Sequence, residues 1–428
     1  MRILRLLITI AALGLLSGCA SFGRGVAQAV LEQSEGEDTR ACHVEGPASR
    51  GLETLLQEQE EERRNGRTDR QMKILMVHGI GKHLPGYSGR FTEHLMRAFG
   101  LGVRGQDFKQ IVLRDPRVSA DPLGQLRLIR YTNKDRNREV LFYELTWSSI
   151  TDEEKEIIEF DDSTEYTFRR ASLNAMLKKF FNSHVPDSLV FLGEPQLPIL
   201  TSVRQSLCWM TSGDWDDYAA VTEQTCDILE SDRIQHFRED DIAIVTHSLG
   251  SRIALDTLQY FGNLSATRPE PAAVQGRAAL QNMEIRLVML ANQLPLLELG
   301  RKRAEVRGQT ASYCRPTGRK FDERILRRLS IYAFSDPNDI LSYPIPPQFT
   351  EDYIDSRLCP STTNVSINVA KPINLFGLGE IADPGEAHGG YDQDERVIAL
   401  IAQGIGTDQT AEIVSERCTW LETTETDF

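Results

Sequence analysis

From residue 245 to residue 254 the chain reads Val245-Thr246-His247-Ser248-Leu249-Gly250-Ser251-Arg252-Ile253-Ala254. The apolar run that ends here, residues 241–246, is typical of a strand buried in a parallel sheet, and apolar side chains at helical spacing follow it. Ser248 therefore lies where a strand turns sharply into a helix. A bulky side chain two residues before or after the serine would clash in such a turn. Gly250 is small enough on the downstream side, whereas Thr246 occupies the upstream position. A helix N-cap is the alternative role for this serine.

The same strand signature recurs along the chain. Short apolar runs occupy residues 73–77, 126–131, 140–145, 285–290, 329–334 and 365–369. The second and third of these runs flank a polar turn at residues 133–137, which predicts a hairpin. Helical spacing fills most of the other gaps, and strands that alternate with helices favour a mostly parallel sheet covered on both faces. We therefore predict an α/β fold in which helices flank the sheet.

Residues 150–238 interrupt this alternation of strands and helices. They contain charged, helix-like pieces and three prolines at positions 186, 195 and 198, and no run among them has a clean strand signature. We predict that they form an inserted, mainly helical cap within a single domain that spans residues 71–428.

The first residues describe an export signal. A basic start is followed by the apolar run 6–16 and by the small residues that precede Cys19. This pattern is typical of a secretory signal and not of a membrane-spanning helix. Residues 16–19 resemble a bacterial lipobox, which implies that the signal peptide 1–18 is removed and that Cys19 carries lipid. A plain signal peptide or an anchor helix is the alternative.

The segment behind Cys19 is polar and charged. We predict that residues 19–70 form a tether and an N-terminal extension that includes a solvated helix, with a featureless linker as the alternative. Ala20 stands where bacterial lipoproteins retained in the inner membrane often have Asp. By that resemblance the expected location is the outer membrane, facing the periplasm.

Composition excludes several classes of protein. The 428 residues include 48 Lys plus Arg against 62 Asp plus Glu, a formal net charge of −14. No basic stripe offsets this excess of carboxylates, so we do not expect nucleic acid as a partner. An apolar content of 40% is that of a globular protein and not of a disordered one. With neither a Gly-rich phosphate loop nor a zinc-type spacing of Cys and His, no cofactor or metal is expected.

The number of cysteines also indicates the cellular compartment of the protein. Without Cys19, an even number remains, namely Cys42, Cys208, Cys226, Cys314, Cys359 and Cys418. An even number in an oxidising periplasm favours up to three disulfides, whose pairing the sequence leaves open. Cys208 and Cys226 are close in sequence and are the first pair that we expect. Free buried thiols are the alternative.

The strand–Ser248–helix turn resembles the nucleophile elbow of the α/β-hydrolase superfamily, with Thr246 in place of the first glycine. A second segment, Val77-His78-Gly79-Ile80-Gly81, follows an early strand as the oxyanion loop of that superfamily does. The resemblance implies that the backbone N–H groups of Ile80 and Leu249 stabilise a developing negative charge. It assigns His78 the structural role of shaping the loop.

Two further positions complete the resemblance. Asp336 and Asp339 both follow the second strand after Ser248, where the superfamily has its acid. Asp339 is preferred because two apolar residues follow it, and Asp336, directly before Pro337, is the alternative. His388 is the only histidine beyond position 247, and it lies between the last strand and a helix-like run. The implied order is therefore oxyanion loop, Ser248, Asp339, His388.

This order implies a serine hydrolase of lipase or esterase type. Ser248 would be the nucleophile, His388 would take its proton, and Asp339 would orient the imidazole. Tethered to the membrane through the lipid on Cys19, the enzyme is expected to cleave carboxylic esters, lipid esters among them. Acyl transfer on the same triad is the first alternative. A catalytically silent scaffold that binds a partner through its cap is the second.

Overall fold

A computed structural model describes residues 40–66, 70–116, 118–162, 170–193, 196–226, 240–267, 278–374 and 380–423. The predicted signal peptide 1–18 and the predicted lipidation site Cys19 lie outside the described residues. In the described ranges, no helix is both long enough and apolar enough to cross a lipid bilayer.

The centre of the molecule is one large sheet, which has eleven strands in the described part of the chain. In chain order the strands are β1 (Cys42–Gly46), β3 (Met72–Val77), β4 (Gly102–Asp115), β5 (Val118–Thr132), β6 (Glu139–Thr146), β7 (Val221–Thr222), β8 (Asp241–His247), β9 (Glu284–Leu290), β10 (Arg328–Ser335), β11 (Pro360–Ile367) and β15 (Cys418–Glu422). Their order across the sheet is β15-β1-β11-β10-β9-β8-β3-β6-β5-β4-β7. All neighbours are parallel except β1 with β11, β6 with β5, and β5 with β4.

Four short strands form two small sheets. One pairs β2 (Ser49–Arg50) with β14 (Gly404–Ile405), and the other pairs β12 (Ile373–Asn374) with β13 (Glu380–Ile381).

Helices cover both faces of the central sheet, because alternate side chains of each buried strand point to opposite faces. Along β3, Ile74 and Met76 contribute to one apolar core, and Leu75 and Val77 contribute to the other. The helices are α1 (Leu52–Arg64), α2 (Gly89–Ala98), α3 (Asp152–Glu159), α4 (Ser172–Leu192), α5 (Gln196–Thr211), α6 (Gly250–Thr267), α7 (Leu294–Leu297), α8 (Thr310–Cys314), α9 (Phe349–Tyr353), α10 (Pro384–Gly389), α11 (Glu395–Gln403) and α12 (Glu412–Arg417). The predicted α/β fold with a mostly parallel sheet flanked by helices is therefore confirmed.

Helices α3, α4 and α5 occupy most of the described part of the predicted cap insertion. Helix α5 is almost completely buried, and its apolar residues belong to the core on one face of the sheet. The short strand β7 follows α5 and pairs in parallel with β4 at the edge of the sheet. One part of the cap is thus packed into the domain, and Phe191 of α4 belongs to the same apolar core.

Part of the predicted N-terminal extension belongs to the folded domain. Strand β1 pairs with β11 and β15, and helix α1 buries Leu52, Leu55, Leu56 and Gln59. The spacing of these four side chains gives the helix one buried stripe, although charged residues cover the rest of its surface. The described residues 42–64 are therefore not a tether.

Three disulfides confirm the prediction that the cysteines are paired. They join Cys42 to Cys418, Cys208 to Cys226, and Cys314 to Cys359. Cys208–Cys226 is the pair that the sequence favoured. The bond between Cys42 and Cys418 joins β1 to β15, so it ties the beginning of the described chain to its end.

Candidate active site

Ser248 follows directly after β8, and helix α6 begins two residues later, so the turn between them is very tight. Ser248 has a φ of 55°, a left-handed conformation that residues with side chains rarely adopt. Its N–H donates to Leu290 O at 2.9 Å, which ties the turn to the end of β9. The Ser248 side chain therefore projects at the carboxyl end of the sheet, where ligands bind in open α/β folds.

Two glycines make this turn possible by letting backbones approach closely. A Cβ on Gly250 would lie 2.6 Å from the Val77 carbonyl oxygen, and a Cβ on Gly79 would lie 2.6 Å from Ser248 Cβ. Distances this short exclude any side chain at either position without movement of the backbone. The turn at Ser248 and the loop after β3 are thus in direct contact.

Asp339 and His388 are brought together although they are 49 residues apart. The distance from Asp339 Oδ2 to His388 Nδ1 is 2.8 Å. An ionised carboxylate only accepts hydrogen bonds, so Nδ1 carries the proton and Nε2 is left with its lone pair. Burial opposes the charge on Asp339, but the hydrogen bonds from His388 and from the Leu341 N–H lower the pKa of the Asp339 carboxyl below its usual value. Asp339 therefore stays ionised beside the imidazole.

Asp336 has a different set of partners. Its Oδ2 accepts hydrogen bonds from the backbone N–H groups of Val369 at 2.7 Å and Ala370 at 3.0 Å. Its Oδ1 accepts from the N–H of Asn338 at 2.7 Å. Asp336 is thus a buried carboxylate that caps the ends of two loops, and its two oxygens are already engaged.

His247 links the Ser248 turn to the loop of His388. Its Nε2–H donates to the His388 carbonyl oxygen at 2.8 Å, and the two rings lie 5.0 Å apart. Burial, reinforced by the nearby His388, lowers the pKa of His247 to about 3, so the ring is neutral at physiological pH. Nothing in the local sequence except its place next to Ser248 signals this role for His247.

Two polar side-chain atoms of the site, Ser248 Oγ and His388 Nε2, are buried and have no hydrogen-bond partner in the described part of the chain. Ser248 is only 1% exposed and Leu249 is fully buried, whereas 21% of the His388 side chain is exposed. A buried polar group without a partner costs free energy, and such groups concentrate where chemistry is done.

The loop after β3 is held by its own aromatic surroundings. His78 Nε2 accepts a hydrogen bond from Trp147 N at 3.1 Å, so Nδ1 carries the proton and donates to Gly79 O at 2.8 Å. The His78 ring is also stacked on Trp147, with ring centroids 4.8 Å apart. Both ring nitrogens of His78 are therefore engaged, which holds the loop in place. The Ile80 and Leu249 backbone N–H groups donate to no acceptor in the part of the chain that the structure describes.

No group of three or more His, Cys, Asp or Glu side chains suited to a metal ion occurs among the described residues. A cavity of about 890 Å³ lies at the opposite end of the sheet, and residues such as Arg70, Asp241 and Arg328 line it.

Comparison with known proteins found no matching family model, curated protein or solved structure. The chemistry of the site must therefore be argued from its own geometry.

Proposed function

We propose that this protein is a serine hydrolase of the α/β-hydrolase superfamily that cleaves carboxylic esters. The observation that carries the proposal is the 2.8 Å contact between Asp339 and His388, together with Ser248 in a strained turn after a central parallel strand. Among the strands of the central sheet, β9 and β10 lie between Ser248 and Asp339 in the chain, and β11 lies between Asp339 and His388. This order agrees with that of the superfamily.

The first half of the reaction forms an acyl enzyme. As Ser248 Oγ attacks the ester carbonyl carbon, its proton passes to His388 Nε2 and a tetrahedral oxyanion forms. Collapse of this intermediate breaks the bond to the alkoxy group, which takes the proton from His388 and leaves as the alcohol. Water then attacks acyl-Ser248 by the same steps, releasing the carboxylic acid and restoring the serine hydroxyl.

The protein supplies the charge stabilisation that these steps need. Asp339 stabilises the imidazolium that forms on His388, and the N–H groups of Ile80 and Leu249 are proposed to receive the oxyanion. Removal of one such donor typically raises the activation barrier by about 3 kcal/mol. Burial of Ser248 and Leu249 strengthens the interactions made there, because water screens buried charges less.

A location in the cell envelope is part of the proposal. Three disulfides are typical of an oxidising compartment, and the lipobox-like segment at Cys19 would hold the enzyme on a membrane as a lipoprotein. Esters with acyl chains, including lipid esters, are the substrate class that this location favours. Acyl transfer to an alcohol would use the same residues, with the alcohol replacing water in the second half of the reaction.

Turnover of acyl esters by the purified protein tests the function. We expect the wild-type protein to release the acid, and Ser248→Ala to lose turnover while its thermal unfolding midpoint changes little. Added alcohol separates the two reactions, because a transferase would form a new ester in preference to the acid. A folded wild-type protein that performs neither reaction, with or without detergent micelles, would favour a binding scaffold.

A further inference from the structure

Helix α4 of the cap contacts the loop after β3 at a single peptide group. The backbone N–H of Gly81 donates to Asp187 Oδ2 at 2.6 Å. Gly81 has a φ of 93°, and a Cβ at this position would lie 2.8 Å from His184 Cδ2 on the same helix. Position 81 therefore requires glycine both for its conformation and for the approach of α4.

Asp187 is a fully buried carboxylate whose second oxygen is also engaged. Oδ1 accepts a hydrogen bond from Thr151 Oγ1 at 2.6 Å and pairs with Lys155 Nζ at 2.7 Å. A buried carboxylate costs several kcal/mol unless donors surround it. Here three donors from two segments of the chain, the loop after β3 and residues 151–155, converge on it and offset the cost of burying its charge.

Three hydrogen bonds hold the two peptide groups that flank Ile80, and Asp187 supplies one of them. In the peptide before Ile80, the Gly79 carbonyl accepts from His78 Nδ1 at 2.8 Å. In the peptide after it, the Ile80 carbonyl accepts from His83 Nε2 at 3.2 Å, and the Gly81 N–H is held by Asp187. The carbonyl and the N–H of one peptide point in opposite directions, so fixing the Gly79 carbonyl also fixes the direction of the Ile80 N–H.

We propose that Asp187 is a positioning residue for the oxyanion loop: through Gly81 it locks the loop so that the Ile80 N–H can receive the oxyanion. This role rests on the proposed function, because it assigns the purpose of the lock to that reaction. It gives helix α4 of the cap a role in positioning that loop. Without the carboxylate, only the His83 bond to the Ile80 carbonyl holds the Ile80–Gly81 peptide. The loop is then held less firmly, and the weaker placement of the Ile80 N–H affects the transition state more than substrate binding.

The test variant is Asp187→Ala combined with Lys155→Met, which avoids leaving a buried lysine without its partner. We expect kcat on an acyl ester to fall by about 10- to 100-fold, with KM within about 3-fold of the wild-type value. Thr151→Val is the matched control, because it removes a bond to Oδ1 and leaves the Gly81 bond to Oδ2. Its kcat is expected to stay within about 2-fold of wild type.

Hydrogen–deuterium exchange provides a readout independent of activity. The peptide covering residues 79–84 is expected to take up deuterium faster in the double variant than in wild type or Thr151→Val. If the double variant does not fold, Asp187→Asn replaces it; because its amide oxygen still accepts from Gly81, we expect an intermediate loss in kcat and an intermediate exchange rate.

Unchanged kcat and unchanged exchange in the variant would overturn the role of Asp187, as would an equal loss of kcat in Thr151→Val. A wild-type protein without turnover would contradict the proposed function instead, and the exchange rates would still decide whether Asp187 holds the loop.

Discussion

Ser248 is held in a left-handed conformation, and the direction of its side chain follows from that strain. Its type and place could be predicted from the sequence, because a small-residue turn between an apolar strand and a helix is a local pattern. His388 could be predicted by elimination, as no other histidine follows position 247. The contacts of His247 and Asp187 could not, because they join segments far apart in the chain.

The two acids after β10 show where sequence reasoning ends at this scale. Asp336 and Asp339 are three residues apart and follow the same strand, so the sequence favoured Asp339 only through the two apolar residues that follow it. The three-dimensional arrangement gives them different partners: Asp339 contacts His388, and Asp336 accepts hydrogen bonds from backbone N–H groups of another loop.

Replacing each acid should therefore have a different effect. We expect Asp339→Asn to lower kcat by about 10³- to 10⁴-fold with little change in stability, because the His388 tautomer is no longer held. Asp336→Ala should keep much more activity per folded molecule, yet lose about 2–4 kcal/mol of stability because buried N–H groups lose their acceptor. Steady-state kinetics and urea unfolding of both variants provide the measurement. Equal losses of kcat would contradict the assignment of the acid.

Elements position the site through close backbone contacts at the carboxyl end of the sheet. The loop after β3 and the first turn of α6 meet where Gly250 approaches the Val77 carbonyl. Two motifs that are 170 residues apart in sequence therefore lie side by side in the fold.

A methyl group at position 250 tests that contact. We expect Gly250→Ala to lose at least 10-fold in kcat and about 1–3 kcal/mol of stability, because its Cβ would lie 2.6 Å from Val77 O. The matched control is Gly89→Ala at the start of α2, where a Cβ would meet no atom within 4 Å. Kinetics and thermal unfolding of the two variants decide the matter. Equal changes in kcat and in stability for Gly250→Ala and Gly89→Ala would show that the close approach of Gly250 to Val77 is not important for the site.

Some elements could not be predicted because their pattern is weak. Strand β4 has buried side chains at Ile111 and Leu113, but its other described side chains are partly or fully exposed. Strand β1 is only five residues long and gains its place from pairing with β11 and β15. A strand that forms mainly because its neighbours pair with it has little recognisable pattern in its own sequence. The buried parallel strands β3, β8, β9 and β10, in contrast, are recognisable in the sequence as apolar runs.

At the scale of the whole molecule, the disulfides close loops of very different length. Cys42–Cys418 spans 376 residues, and Cys208–Cys226 spans 18. On the chain-entropy relation these correspond to about 6 and about 3 kcal/mol of stabilisation, because the longer loop removes more freedom from the unfolded chain. We expect the double variant Cys42→Ser, Cys418→Ser to lose more stability in urea unfolding than Cys208→Ser, Cys226→Ser. Reduction that leaves the unfolding midpoint unchanged would contradict this account.

Acid should destabilise the protein through buried histidines. Burial lowers the pKa of His78 well below its usual value of about 6.5, so the unfolded chain binds a proton that the folded chain excludes. The stability that this group contributes is therefore present above about pH 6.5 and is lost as the pH falls below that value. His83 and His247 act in the same direction.

Urea unfolding of wild type and His78→Gln between pH 7 and 5 measures this effect. The variant is expected to be less stable at pH 7 but to show a shallower loss toward pH 5. Comparing slopes separates His78 from carboxyls such as Asp392, whose pKa burial raises and which therefore act in the opposite direction. Parallel slopes would contradict a neutral, buried His78.

The most direct test of the central claim is mass spectrometry of the wild-type protein after reaction with a fluorophosphonate probe, with and without detergent micelles. An activated serine in an assembled site predicts a single adduct on Ser248, which is absent after heat denaturation and absent in His388→Ala. No adduct on Ser248 in either condition, from protein that is folded, would contradict the account of this chain as a serine hydrolase.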